Sequence, residues 1–399
     1  MPLIRLDNPT PRLPANQPGW RAFTAMAFRP LYLVAALFGA LAVLAWVAGF
    51  GGAAALPGMF WHGHEMIWGY AGAVVVGFLL TAVATWTGQP AFSGAPLAGL
   101  VGLWLLARLA AATESGTPWI TGVLSVSFFI GGAVAMALPV WRSRNRRNAG
   151  VPIMLLALGL ANALFLCAVS GAIALDPRRL LLAGLLVVAG FITLVGLRVI
   201  PFFTHRALQR PQVSHPRWAG LVAMLSPLAL AALVAGGSES SAALFVGVAG
   251  MLFNLVLLTR NVHGSAVKHP LLWILFVGYA LTAIGLGLTG LAVSSAPELL
   301  SAGVHVIAIG GIGVLTLGMM TRTALGHTGR PLVLPPKMVP AYLLMLLATV
   351  LRFAAAWPGM AGGAGLIHAA GTCFALALLM FAWRYGPWLV STRADGAPG

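Results

Sequence analysis

The sequence predicts an all-α protein, a polytopic transmembrane helical bundle of about twelve spans. Three observations carry that prediction. First, 60% of the 399 residues are hydrophobic and only 8% are charged, with a mean hydropathy of +0.94. A water-soluble chain of this length would need far more polar surface. Second, apolar runs recur at the length of ~20 residues that a bilayer demands. Third, the basic residues fall in alternate loops, as the positive-inside rule requires. The net charge of +16 is therefore spread over many short loops. It marks membrane topology and not a nucleic-acid groove, so the expected partner is the lipid bilayer and no nucleic acid.

Taken in order, residues 1–28 are polar and Pro-rich without an apolar core, which reads as a cytoplasmic N-terminal tail and not a cleaved signal peptide. The twelve-span membrane domain covers 29–386, and 387–399 form a cytoplasmic C-terminal tail. Apolar runs bounded by Gly, Pro and charge place the spans near 30–50, 61–86, 97–112, 118–140, 151–174, 179–203, 217–236, 241–262, 270–291, 297–320, 338–357 and 363–385. The third is the shortest. Three four-helix repeats would suit this count.

Orientation follows from the cations. Arg5, Arg12, Arg21 and Arg29 precede the first span, and Arg142, Arg144, Arg146 and Arg147 follow the fourth. Arg206, Arg210 and Arg217 follow the sixth, Arg260 and Lys268 the eighth, and Arg322, Arg330 and Lys337 the tenth. Arg384 and Arg393 close the chain. The other side has Arg178 and Arg179 as its loop cations and carries Glu114, Asp176, Glu239 and Glu298. Both termini are therefore expected in the cytoplasm. Cys167 and Cys373 lie in apolar runs and read as packing residues.

The same topology sorts nine histidines. His62, His64, His305 and His368 lie at or just inside the outer side. His205, His215, His263, His269 and His327 belong to cytoplasmic loops or helix ends. There is also an internal echo. A shift of 241 residues lays His64, Gly69, Gly72 and Gly77 on His305, Gly310, Gly313 and Gly318, and Thr87-Gly88 with Pro90 on Thr328-Gly329 with Pro331. This suggests that the second and tenth spans are copies of one unit. The sixth span offers no third copy.

A histidine inside a span is costly to bury and tends to be functional. Singly, each has an ordinary reading. His305 would suit a core hydrogen bond, and His62 and His64 would suit the interface that Trp61 and Trp68 also favour. Together, four histidines and Glu65 from three spans point to haem or metal ligation, since neutral imidazoles on facing helices bind iron, copper and zinc.

If both are helical, His62 and His64 point roughly 200° apart, so they cannot easily share one metal, and two sites, or one site plus a structural histidine, are expected. His62 and Glu65 share a face. The sharpest expectation is that His64 and His305 ligate one b-type haem between the second and tenth spans. His62 competes for that role if the helix starts one residue later. Gly69, Gly72, Gly310 and Gly313 would clear a face for the macrocycle, unless they only let helices pack. Arg108 and Arg352 would pair with propionates, unless they snorkel. His62, Glu65 and His368 would form a second metal site or a proton path. Arg198, Arg322 and His327 are further polar candidates on the cytoplasmic side. No Walker motif, strand-borne GxGxxG, CxxCH or Ser-His-Asp set is present, so a haem would be held without covalent attachment. A rival class is a solute or metal transporter with a histidine-lined site.

Several motifs resemble one family. These are Phe28-Arg-Pro-Leu-Tyr, Trp61-His-Gly-His-Glu-Met, the run Gly-Leu-Arg-Val-Ile-Pro-Phe-Phe-Thr at 196–204, and Leu317-Gly-Met-Met-Thr-Arg-Thr-Ala-Leu-Gly-His-Thr-Gly-Arg-Pro-Leu. They resemble the NnrS family over nearly the whole chain. That resemblance implies a twelve-span bacterial inner-membrane protein carrying haem and copper, tied to denitrification and the nitric oxide stress response. It would bind nitric oxide, or convert it as a haem-dependent oxidoreductase. The family's histidines fall on His62, His64, His305, His327 and His368. Two positions depart from the family pattern. Phe276 stands where a histidine is expected in Ile274-Leu-Phe-Val-Gly-Tyr, and Leu197 where the family has a second glycine. If the missing histidine is a ligand, one metal site is altered here. The second and tenth spans are also similar to the histidine-bearing helices of haem–copper oxidases. The chain lacks the middle-helix histidines of those enzymes, which argues against oxygen reduction coupled to proton pumping.

Overall fold

Among the described residues, twelve helices are long and apolar enough to cross a membrane. The computed structural model describes residues 14–397 except Glu239 and Ala361; Arg5, Arg12 and Glu239 of the charge pattern lie outside these. The helices are α1 (Phe28–Val47), α2 (Met59–Thr87), α3 (Gly94–Thr113), α4 (Trp119–Arg142), α5 (Gly150–Val169), α6 (Pro177–Leu208), α7 (Arg217–Ala235), α8 (Ser241–Thr259), α9 (Pro270–Ser294), α10 (Pro297–His327), α11 (Val339–Ala356) and α12 (Gly363–Leu389). Each expected span has its helix. The third is longer than its apolar run, because it begins at Gly94, just after an extended Ser93. Among the described residues there is no strand, only an isolated bridge between Pro18 and Ser391.

Helices α2, α6 and α10 stand inside, and each is flanked by an arc of outer helices. The arcs run in chain order: α3, α4 and α5 lead into α6; α7, α8 and α9 into α10; α11, α12 and α1 into α2. The inner helices are four spans apart, so the arrangement reads as three groups of four. Outer faces keep large apolar side chains exposed, among them Leu109, Val123, Ile130, Ile153, Leu252 and Val350. Lipid is their natural solvent. Inside a bilayer, helices gain little from apolar burial against one another, so close packing and polar links hold them. A Cβ on Gly247 would come within 2.8 Å of the Gly290 Cα, so α8 and α9 meet backbone to backbone. Asn254 then donates to the carbonyl of Ala223 in α7 and accepts from the Tyr279 hydroxyl in α9.

The internal echo has a structural counterpart. Both α2 and α10 begin as short α-helical stretches, Met59–His64 and Leu300–His305. Immediately after the histidine each widens into a π-helical segment, Glu65–Ala71 and Val306–Gly313. Each then resumes as an α-helix and stops beside a glycine with positive φ, Gly88 at 65° and Gly329 at 72°. Helix α6 has no such segment. It starts on an N-cap, with Asp176 Oδ1 accepting from the Arg178 amide at 2.8 Å and Pro177 in the first turn.

The two ends of the described segment lie on one face. Buried Arg29 donates from Nη1 to the carbonyls of Leu389 at 3.1 Å and Ser391 at 2.6 Å, which closes the exposed end of α12. Thr392 pairs with Gln17 on the same face. Arg393 holds the Asp395 carboxyl well below the usual carboxylate range by hydrogen bonding to it.

Candidate haem cavity and the buried polar network beside it

At the face away from the termini a cavity of about 950 Å³ opens between α1, α2, α6, α10, α11 and α12. His62 enters it from α2 and His305 from α10. Arg352 from α11 lines it as well, and Arg178 and Arg179 stand with Asp176 near the start of α6. Most of the remaining wall is apolar, including Val43, Met66, Leu185, Ile309 and Phe374.

Each histidine is oriented. The His62 ring lies flat on Trp46, with centroids 4.8 Å apart and planes 15° from parallel. Its Nδ1 is buried and has no hydrogen-bond partner. In His305, Nδ1 sits 2.8 Å from the Ser301 carbonyl oxygen. A carbonyl can only accept, so Nδ1 carries the proton and Nε2 keeps a lone pair. This is the tautomer-fixing bond that metal-ligating imidazoles commonly make. Arg352 donates to Ser301 Oγ at 3.1 Å, on the same turn of α10.

His64 faces the other way. It is fully buried among α2, α3, α4 and α5. Its Nδ1 donates to Glu65 Oε1 at 2.7 Å, and its Nε2 lies 3.3 Å from Asn162 Oδ1. Asn162 donates to Ser125 Oγ at 2.8 Å. Arg108 Nη1 donates to the same Glu65 oxygen at 2.6 Å, and Nη2 reaches Ser125 Oγ at 3.3 Å. Both ring nitrogens of His64 are therefore committed. With Oδ1 facing it Nε2 would donate, and with the Asn162 amide turned over Nε2 would accept from Nδ2; either way it is committed.

Several sequence-based expectations are redirected by this geometry. His62 and His64 do face different ways, but His62 and not His64 shares the cavity with His305. Glu65 does not sit with His62. A buried carboxylate requires a counter-charge, and Arg108 supplies it from α3, so Glu65 is drawn to the His64 side. Arg108 is consequently absent from the cavity wall, which leaves Arg352 as the in-span arginine there. His368 is exposed, with Nδ1 bonded to the Ala364 carbonyl, so the expected group of His62, Glu65 and His368 does not form.

The four glycines also pack helices rather than clear a flat face. A Cβ would meet Arg108 at Gly69, Phe129 at Gly72, Thr349 at Gly310 and Met345 at Gly313, all within 3.0 Å.

The remaining candidates lie on the termini side. Arg198 donates to Asn148 Oδ1 at 2.9 Å, Arg322 stacks 3.6 Å over the Phe203 ring, and His327 lies 5.6 Å from Phe28. Phe276 is buried in α9 and lines neither the large cavity nor the smaller one near it. Asn162, Ser125 and Trp46 escaped the sequence reading. Of these Asn162, a lone amide in an apolar span, carried the clearest signal.

The sequence profile of the NnrS protein family matches residues 22–393. The chain belongs to the NnrS family. No curated protein matches it. Family membership and the twelve apolar helices make it a multi-pass membrane protein of the nitric oxide response.

The donor set suits haem better than copper. Two imidazoles with available nitrogens, from two helices, line one apolar cavity whose volume is at the upper end of the ~300–1,000 Å³ typical of cofactor sites. For copper, no three His, Cys, Asp or Glu side chains converge among the described residues. The family's copper thus has no evident binding set in them, and no chemistry is derived through it.

Proposed function

We propose that this NnrS-family protein binds a b-type haem through His62 and His305 and uses it to capture nitric oxide at the non-cytoplasmic leaflet. The observation that supports this most is the convergence of the two imidazoles on one apolar cavity with Arg352 beside them. Arg352, helped by Arg178 and Arg179, suits the two propionates, because guanidinium groups bind carboxylates through paired charge-assisted hydrogen bonds. When bound, the haem would supply an iron able to coordinate nitric oxide once one of the two imidazoles gives way to it.

The chain's own residues do the remaining work. Trp46 fixes the plane of His62, and Ser301 fixes the tautomer of His305. The apolar wall excludes water and so limits competing ligands. The His64–Glu65–Arg108 network holds the mouth of α2 from behind, which keeps His62 turned inward.

The arginine-rich face that carries both termini is read as cytoplasmic, in a bacterial inner membrane. An alkaline phosphatase fused after Arg147 should then be inactive, and one fused at Gly116 active. Activity of the same kind at both sites would overturn the twelve-span reading.

The nitric oxide reading is tested on purified protein reduced under anaerobic conditions. Stoichiometric nitric oxide should shift the Soret band. A haem-loaded protein whose spectrum ignores nitric oxide would contradict the functional reading. A colourless, folded protein would favour the transporter class.

A further inference from the structure

A second, smaller and partly open cavity of about 100 Å³ lies further along the same helices, between α2, α6, α9 and α10. Its wall is formed almost wholly of Val, Leu, Ile, Phe and Met side chains. Two hydroxyls reach it, those of Tyr279 and Thr316, and both are already bonded. Tyr279 donates to Asn254 Oδ1. Thr316 Oγ1 lies 2.7 Å from the Ile312 carbonyl and 2.6 Å from the Tyr70 hydroxyl. A trapped water needs about two to four polar partners, and here none is available. Dry apolar cavities of this order (~150 Å³ in a well-studied case) take up apolar ligands, xenon among them.

The two cavities are stacked along α2 and α10. Tyr70 lines the large one and Thr316 the small one, and their hydrogen bond of 2.6 Å stands between them. Tyr70 belongs to the π-helical segment of α2, and Thr316 follows that of α10 by three residues. Such widened turns are less regularly bonded than an α-helix and recur at functional sites. This hydrogen bond is thus part of the partition and sits beside irregular backbone in both helices.

We propose that the small cavity is a docking chamber for an uncharged diatomic gas, which passes to the large cavity when the Tyr70–Thr316 hydrogen bond opens. The gas dissolves in the hydrocarbon core, needs no hydrogen-bond partner, and fits the volume. That the gas is nitric oxide rests on the haem reading of the large cavity; the chamber itself does not.

Xenon tests the chamber without any haem. A structure of the full chain under xenon pressure should show xenon bounded by Val75, Val195 and Met319, in wild type and in His305→Ala alike. Val195→Phe should abolish it by filling the space, and Val199→Phe provides a second filled variant should the first fail to fold. Tyr70→Phe keeps the ring and removes the hydrogen bond. It should speed geminate recombination of carbon monoxide after photolysis several-fold in haem-loaded protein.

Absence of xenon from the folded wild type, or a detergent or acyl tail in its place, would overturn the chamber. Xenon bound with unchanged recombination in Tyr70→Phe would overturn the partition. Xenon bound in protein that never takes up haem would leave the chamber standing and remove the haem reading.

Discussion

Purified His305→Ala and His62→Ala proteins should lose nearly all of their haem, while His64→Ala should keep it. Outer-shell partners alone are worth about 10–100-fold in metal affinity. Loss of a ligating imidazole should therefore weaken binding by at least about 100-fold, since an apolar pocket cannot replace an iron–nitrogen bond. His64→Ala removes no cavity group. It strips one partner from Asn162 and one from Glu65, so its cost should fall on stability, at about 1–3 kcal/mol. Haem content per protein, measured on monodisperse fractions, separates the cases. Loss of haem in His64→Ala with retention in His62→Ala would restore the pairing that the sequence alone favours.

Arg108→Leu should be the most destabilising single substitution in the polar network. Glu65, His64 and Arg108 are all buried, and Oε2 of Glu65 has no partner as it is. Removing the guanidinium leaves a carboxylate in a low-dielectric interior beside a histidine. Breaking one side of a buried pair costs about 3–5 kcal/mol, a large part of the ~5–15 kcal/mol that folded proteins typically have. The double variant Glu65→Gln/Arg108→Leu should recover much of that loss, because no unpaired charge remains. Thermal unfolding in detergent or nanodiscs measures both. A single variant that melts like wild type would show that the pair is not what holds α2 to α3.

The spans were legible in the sequence because a bilayer imposes one physical demand, about 20 apolar residues per crossing, that composition alone reveals. The echo between α2 and α10 was legible too, and it carries into the backbone as paired π-helical segments and paired terminal glycines. What the sequence could not give was the direction in which each polar side chain turns.

Helical rotation separated His62 from His64 correctly, yet could not say which faced α10. That choice is made by Asn162 and Arg108, which lie 98 and 43 residues away from their partners in the chain. Arg108 has the same appearance in sequence whether it meets a propionate or a glutamate. The glycines were equally ambiguous. Small residues look alike whether they admit a cofactor or a neighbouring helix, and here Arg108, Phe129, Thr349 and Met345 fill the space. Tyr70 and Thr316 gave no signal, since each is ordinary alone and notable only as a pair bridging two helices.

The most direct test of the haem cavity is the absorption spectrum of wild-type protein purified from haem-replete cells. The account predicts a Soret band, about one haem per chain, and a b-type pyridine haemochrome that acid acetone extracts, since no CxxCH motif exists to retain it covalently. A monodisperse, helical protein that is colourless under the same conditions would contradict it.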